Sequence, residues 1–307
     1  MTAALPPMIT TTPIATPTTA TQTMQRARRA RRGVKIRITV PIIIIGLYVI
    51  GAITVPVIYG FDPLRTELVD RLKPPGTTLS NGSIAFLGTD QIGQDLFAQM
   101  MMGARVSLAV GASTLIFAGL AGVTVGLLAG HFGGWMDTVL MRIADVQLAF
   151  PAILLAILLA SVLGQGLTNI IIVLSIANWV VFARVTRSQV LALKNREFVE
   201  AGRALGAGHF HLIVRTLLPG CVAPILVVAT VEFGHVILAE AALSFLGVGV
   251  PIGVPSLGST IQAGTAYLTS AWWISTLPGI ALAGLVLATG VLGDALRDFY
   301  DPTLRGA

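Results

Sequence analysis

Few side chains in this sequence could do chemistry, and most of those sit where charge is costly. Glu232, His235 and Glu240 lie within residues 221–250, a stretch with no other charged residue. An ionised group in hydrocarbon costs at least a few kcal/mol, so it is expected to face protein or water rather than lipid. Glu232 and His235 are three apart and share one helical face, where they can hydrogen-bond. The three residues are candidates either for lining a water-filled path or for a polar network between helices. Arg142 and Asp145, also three apart, are expected to pair locally. The four histidines, at 131, 209, 211 and 235, form no HExxH-type ligand set, and His209 and His211 are expected to be solvated beside basic residues. No GxxxxGK[ST] loop surrounds any of the three lysines (35, 73, 194), so ATP hydrolysis by that route is excluded. The one cysteine, Cys221, excludes an intrachain disulfide framework and a Cys-based zinc site. Because it follows Pro219, its thiol is expected to be accessible at the mouth of a span.

The elements that must carry these residues are set by composition. Of 307 residues, 54% are hydrophobic and 11% charged, whereas soluble domains carry about 25% charged residues. The chain is therefore expected to be an all-α integral membrane protein, in a bilayer whose roughly 30 Å core takes about 20 apolar helical residues per crossing. The formal charge of +6 does not point to nucleic acid. Seven of the twenty basic residues (Arg26, Arg28, Arg29, Arg31, Arg32, Lys35 and Arg37) directly precede the first apolar span, as the positive-inside rule requires. Residues 1–25 hold no charged side chain and are rich in Thr, Pro and Ala, which predicts a disordered cytosolic tail. Residues 40–60 are uncharged and longer than the roughly 7–15 apolar residues of a cleavable signal, so they should remain as an anchor.

Six spans follow, with both termini in the cytosol. The predicted division is a cytosolic tail at 1–38, a first transmembrane helix at 39–60, an extracytoplasmic segment at 61–104, a transmembrane core at 105–295 and a cytosolic end at 296–307. Within the core, residues 106–130 return inward and "HFGGWMDT" (131–138) makes a turn. Residues 146–183 carry no charge and would form a helix of about 57 Å, too long for one crossing. "GQG" at 164–166 is the expected break. Six basic residues, Arg184, Arg187, Lys194, Arg196, Arg203 and Arg215, then fall between the fourth and fifth spans. Residues 221–250 cross outward, 251–264 form an outer loop that could re-enter the membrane, and 277–292 cross back.

Between the fourth and fifth spans lies "EFVEAGRALGAGHFHLIVRTLLPG" (197–220). Phe198, Ala201, Gly202 and Leu205 repeat at helical spacing, as do Phe210, Ile213, Val214 and Leu217. Gly206-Ala207-Gly208 divides them, and Pro219 is expected to close the second helix. The reading is a knuckle of two short amphipathic helices with a small-residue face. Glu200 and Arg203 can pair with each other or with a docked protein.

The pattern of Glu200, Ala201, Gly202, Arg203, Gly206, Leu218 and Pro219 resembles the EAA loop of ABC importer permeases, here at 195–220. Gly202 departs from the family's alanine and should loosen the first helix by about 1 kcal/mol. The segments "LGTDQIGQDLFAQMMMGARVSLAVG", "GGWMDTVLMRIADVQLAFP", "FARVTRSQVLALKNREFVEAGRALGA", "LAEAALSFLGVGV" and "GDALRDFYDPTLR" also resemble the dipeptide/oligopeptide/nickel subfamily, and in particular its second permease subunit. Gln94 stands where that subfamily usually has Arg, and Leu257 where it usually has Trp; both bear on substrate class or receptor docking.

The resemblance implies a type I ABC importer transmembrane domain in the bacterial plasma membrane, not an enzyme by itself. It implies a homologous permease, two cytosolic ATPase domains that bind ATP and Mg, and an extracytoplasmic binding protein, with no cofactor in this chain. Peptides are the first expected substrate, with nickel or haem-like cargo as other possibilities. The rival reading from the residues alone is an ion-coupled secondary transporter, for which intramembrane carboxylates are common.

Overall fold

The computed structural model describes residues 38–55, 66–251 and 253–300. The predicted tail, the basic run and the C-terminal residues from 301 on lie outside the described residues, as do 56–60 of the expected first span. The first described helix, α1, covers Ile38–Val55. It is joined to the bundle where the Tyr48 hydroxyl donates to the Ala281 carbonyl at 2.8 Å.

Residues 66–95 fold against one end of the bundle. A two-residue antiparallel pair, β1 (Thr77–Thr78) with β2 (Ile84–Ala85), forms a small hairpin there. Asp70, 1% exposed, organises the segment beside it. Its carboxylate accepts from Lys73 Nζ at 2.5 Å, from the Ser80 amide at 3.0 Å and from Ser80 Oγ at 2.6 Å. Trp273 Nε1 donates to the Thr89 carbonyl at 3.1 Å and fastens the segment to the bundle.

Helix α2 (Leu96–Phe132) begins at Asp95, whose side chain accepts the Ala98 amide. It is 37 residues long, about 55 Å at 1.5 Å per residue. The predicted turn at 131–138 contracts to a single break at Gly133, with φ 65, because helix resumes at once as α3 (Gly134–Leu148). The expected third span is not one straight helix. Pro151 has no amide hydrogen and disfavours helix at the residue before it, so α4 (Ala152–Leu163) leaves α3 at 86°. The predicted break at 164–166 is present. Gly164 has φ 77, and the Asn169 side chain caps the freed Leu163 carbonyl at 2.8 Å.

Helix α5 (Leu167–Leu193) packs along α2 through a glycine stripe. Gly122, Gly126 and Gly130 recur every fourth residue, and a Cβ on the first two would lie 2.3 Å from the Trp179 carbonyl and 2.5 Å from that of Ala183. Such close backbone approach is how helices associate when lipid removes the hydrophobic drive. After α6 (Glu197–Ala204) come α7 (His209–His211), a π-helical turn at Leu212–Leu217 and α8 (Leu218–Phe245). These last three run as one helix, His209–Phe245. Pro219 therefore does not end the second short helix: the π-helical turn precedes it, where a wider helix spares the clash with the carbonyl one turn back.

The loop predicted at 251–264 folds into the bundle as α9 (Leu257–Gly264), opened by a capping box between Ser256 and Ser259. The last helix is α10 (Trp273–Tyr300). Among the described residues, five helices are long and apolar enough to cross a membrane, and a sixth is reached when the bent α3–α4 pair counts as one span.

Candidate coupling site

Helix α6 lies at the end of the bundle opposite the hairpin. Glu197 and Glu200 occupy its first turn and Arg203 its last, which suits the helix dipole at both ends. Gly206, with φ 84, reverses the chain, and the amides of Gly206 and Ala207 satisfy the Arg203 and Gly202 carbonyls at 2.9 and 3.0 Å. Leu218 and Pro219 of the predicted set lie beyond, inside the continuous helix.

The predicted apolar stripe does not face the bundle. Val199 alone anchors α6: it is fully buried against Leu127, Val190, Leu212, Leu217 and Cys221. Phe198 and Leu205 are 53% and 89% exposed, and Phe210 on α7 is 80% exposed. Ala201 is exposed, and Gly202 meets Leu212. Among the described residues no ion pair joins Glu200 to Arg203, and both are exposed. Of α6 itself one valine is buried, and the knuckle leaves three large apolar side chains uncovered. Cys221 is buried in the same cluster, which corrects the expectation of an accessible thiol.

The loop is also held by a contact absent from the predicted set. His131, in the last turn of α2, places Nε2 3.0 Å from Nδ1 of His209. Lys194 Nζ reaches the Gly130 carbonyl at 3.5 Å. His209 is therefore partnered, not merely solvated as predicted. Nearby, Arg187 of α5 clasps Asp137 of α3 with two bonds of 2.5 and 2.7 Å. Asp145 pairs with Arg184 at 2.5 Å rather than with Arg142. Acids on α3 and bases near the end of α5 were a readable signal for both cross-helix pairs.

Of the three intramembrane candidates, Glu240 is separated from the others. It is fully buried and accepts from Ser107 Oγ of α2 at 2.6 Å and from Ser244 Oγ at 2.8 Å. Glu232 Oε1 lies 3.6 Å from His235 Nδ1, with the glutamate side chain 12% and the histidine 65% exposed. Leu257 is buried against the core, and Gln94 is buried with Asp90 and Gln99, whose amide nitrogen reaches Gln94 Oε1 at 3.1 Å and Asp90 Oδ2 at 2.6 Å. Leu257 is thus a packing residue. Among the described residues no group of three metal-ligating side chains occurs.

A bundle of apolar helices with a short, largely exposed helix at one end suits the membrane-spanning unit of a transporter. Comparisons with known proteins specify it further. The family model "Binding-protein-dependent transport system inner membrane component" matches residues 122–306. The chain belongs to this family of multi-pass inner-membrane ABC importer permeases, within the dipeptide/oligopeptide/nickel group. It is 38% identical over 262 residues to the di/tripeptide transport system permease protein DppC of Pseudomonas aeruginosa (strain UCBPP-PA14), covering 85% of this chain and 86% of that one. It is 38% identical over 267 residues to the nickel transport system permease protein NikC of Escherichia coli (strain K12), covering 86% and 93%. The fold resembles a chain of the MetNI methionine ABC transporter in an inward-facing crystal form, with TM-score 0.53 and 20% identity over 66% of this chain and 97% of that one. Family membership sets aside the ion-coupled alternative. The family is a permease component, not itself catalytic.

Proposed function

We propose that this chain forms half of the membrane path of a peptide importer and that α6 is its docking helix for a cytosolic ATPase. The observation that carries this is the exposed Phe198 and Leu205 on and beside a helix anchored by Val199 and ended by Gly206, with Phe210 exposed on α7 just beyond. Apolar side chains left on a polar surface mark a protein interface. Ala201 and Gly202 allow a partner close to the backbone, and the exposed Glu200 and Arg203 can pair with charges across the interface. The α6 end then faces the cytosol and the hairpin end faces outward.

A homologous permease supplies the other half of the path, two ATPase domains carry the ATP and Mg, and an extracytoplasmic binding protein delivers cargo. Peptides are the favoured cargo because several similar permeases are named for di- or tripeptide transport; the nickel permease keeps a metal cargo as the competing outcome. The test is co-purification. Glu200→Arg and Gly206→Val should insert normally yet lose the ATPases and transport together. ATPase retention and normal transport in both variants would reject α6 as the docking helix.

A further inference from the structure

The His131–His209 contact spans 78 residues of sequence and joins the last turn of α2 to the start of α7. His131 is 8% exposed, and its Nδ1 is buried with no hydrogen-bond partner. Its ring stands edge-on to those of Phe132 and His209, at centroid distances of 5.0 and 5.2 Å. His209 is exposed. We infer that His131 is a positioning residue for coupling: by sharing one proton with His209 it holds the docking loop to α2, and protonation of both facing nitrogens releases that hold.

The proton count carries the inference. A bond between two imidazole nitrogens needs one donor and one acceptor. One added proton can go to an outer ring nitrogen, outside the bond, and the contact survives. The next must protonate the second facing nitrogen, leaving two donors and two cations 3.0 Å apart. The surroundings do not neutralise that charge. Lys194 at the end of α5 and Arg203 on α6 add positive charge beside His131, and His211 is the other titratable group on α7. Asp137, the acid on α3, is already clasped by Arg187. The hold should therefore fail only in the acid half of the range where histidines titrate, about pH 5 to 6.

This rests on α6 being the docking helix, but its test reads the loop directly. Hydrogen–deuterium exchange of residues 197–211 is measured in the assembled importer in lipid nanodiscs at pH 7.5 and 5.5, corrected for intrinsic rates, alongside ATP-driven transport. In the wild type, acidification should raise exchange by about fivefold, the worth of one net hydrogen bond, and lower coupled transport. His209→Asn can donate or accept without charge and should flatten both pH profiles, whatever its basal rate. His131→Phe should be loose already at pH 7.5. A histidine pair with only a packing role would lower function without flattening the profile. Equal pH profiles in wild type and His209→Asn, or full protection in His131→Phe, would overturn the inference, while the Glu200→Arg result would stand or fall separately.

Discussion

Ser107 on α2 donates its hydroxyl to the carboxylate of Glu240 on α8, 133 residues away, at 2.6 Å, and both residues are fully buried. Ser244, one turn on, donates to the other oxygen at 2.8 Å. Glu240 is thereby tied into helix packing. Ser107→Ala should cost about 1–3 kcal/mol, because it leaves a buried acceptor with one donor fewer. Thermal unfolding of the detergent-solubilised protein measures this, and an unchanged midpoint would contradict the packing role.

The glycine stripe between α2 and α5 gives a paired prediction. Gly126→Ala would push a methyl to 2.5 Å from the Ala183 carbonyl, whereas Gly119 has nothing within 4 Å of its Cβ position. Gly126→Ala should destabilise the bundle. Gly119→Ala should be neutral or stabilising by up to about 1 kcal/mol, the helix propensity difference. Equal effects in a melting assay would mean that α2 and α5 do not approach so closely.

Two arginines on α5 should differ in worth. Arg184 and Asp145 are about half exposed, and Arg187 and Asp137 are 34% and 19% exposed with two bonds. Arg184→Gln should cost no more than about 1 kcal/mol. Arg187→Gln should cost about 1.5–3 kcal/mol, since a charge-assisted fork is lost. Chemical or thermal denaturation ranks them, and the reverse order would refute the assignment.

Acid should loosen the segment at the hairpin end. The Lys73 ammonium, then the Ser80 hydroxyl, hold the Asp70 carboxyl below its ordinary value. A lowered folded value means that its stabilisation is present above the unfolded carboxylate range, about pH 4, and is lost as pH falls through the folded value. Asp70→Asn should remove that component of the acid dependence. Proteolysis of residues 66–95 between pH 6 and 3 would test it: an identical acid dependence in the variant would be the failing result.

Glu232→Gln keeps the shape beside His235 and removes the charge. With Glu232 12% exposed, transport and melting midpoint should both stay near wild type. Abolished transport in a stable, ATPase-bound complex would instead put Glu232 on the substrate's route.

The apolar lengths, the break at Gly164 and the isolation of α6 between Arg196 and Gly206 were legible in the residues alone, because charge, glycine and proline act locally. The sequence also carried the loop pattern by which the family is legible. It did not determine which way each face turns. Phe198, Ala201, Gly202 and Leu205 share a stripe as their spacing requires, yet Val199 is the residue buried. Pro151 could be read as a break, but only packing decides the 86° between α3 and α4. Pro219 was absorbed by a π-turn that no spacing announces. The partners of Asp145, Glu240 and His209 came from other helices. The physical reason is the solvent: lipid is as apolar as a protein core, so hydrophobicity places a residue within the membrane without saying whether it meets lipid or another helix. That choice falls to close backbone contacts at Gly122, Gly126 and Gly130 and to buried polar pairs, which exist only once the helices are assembled.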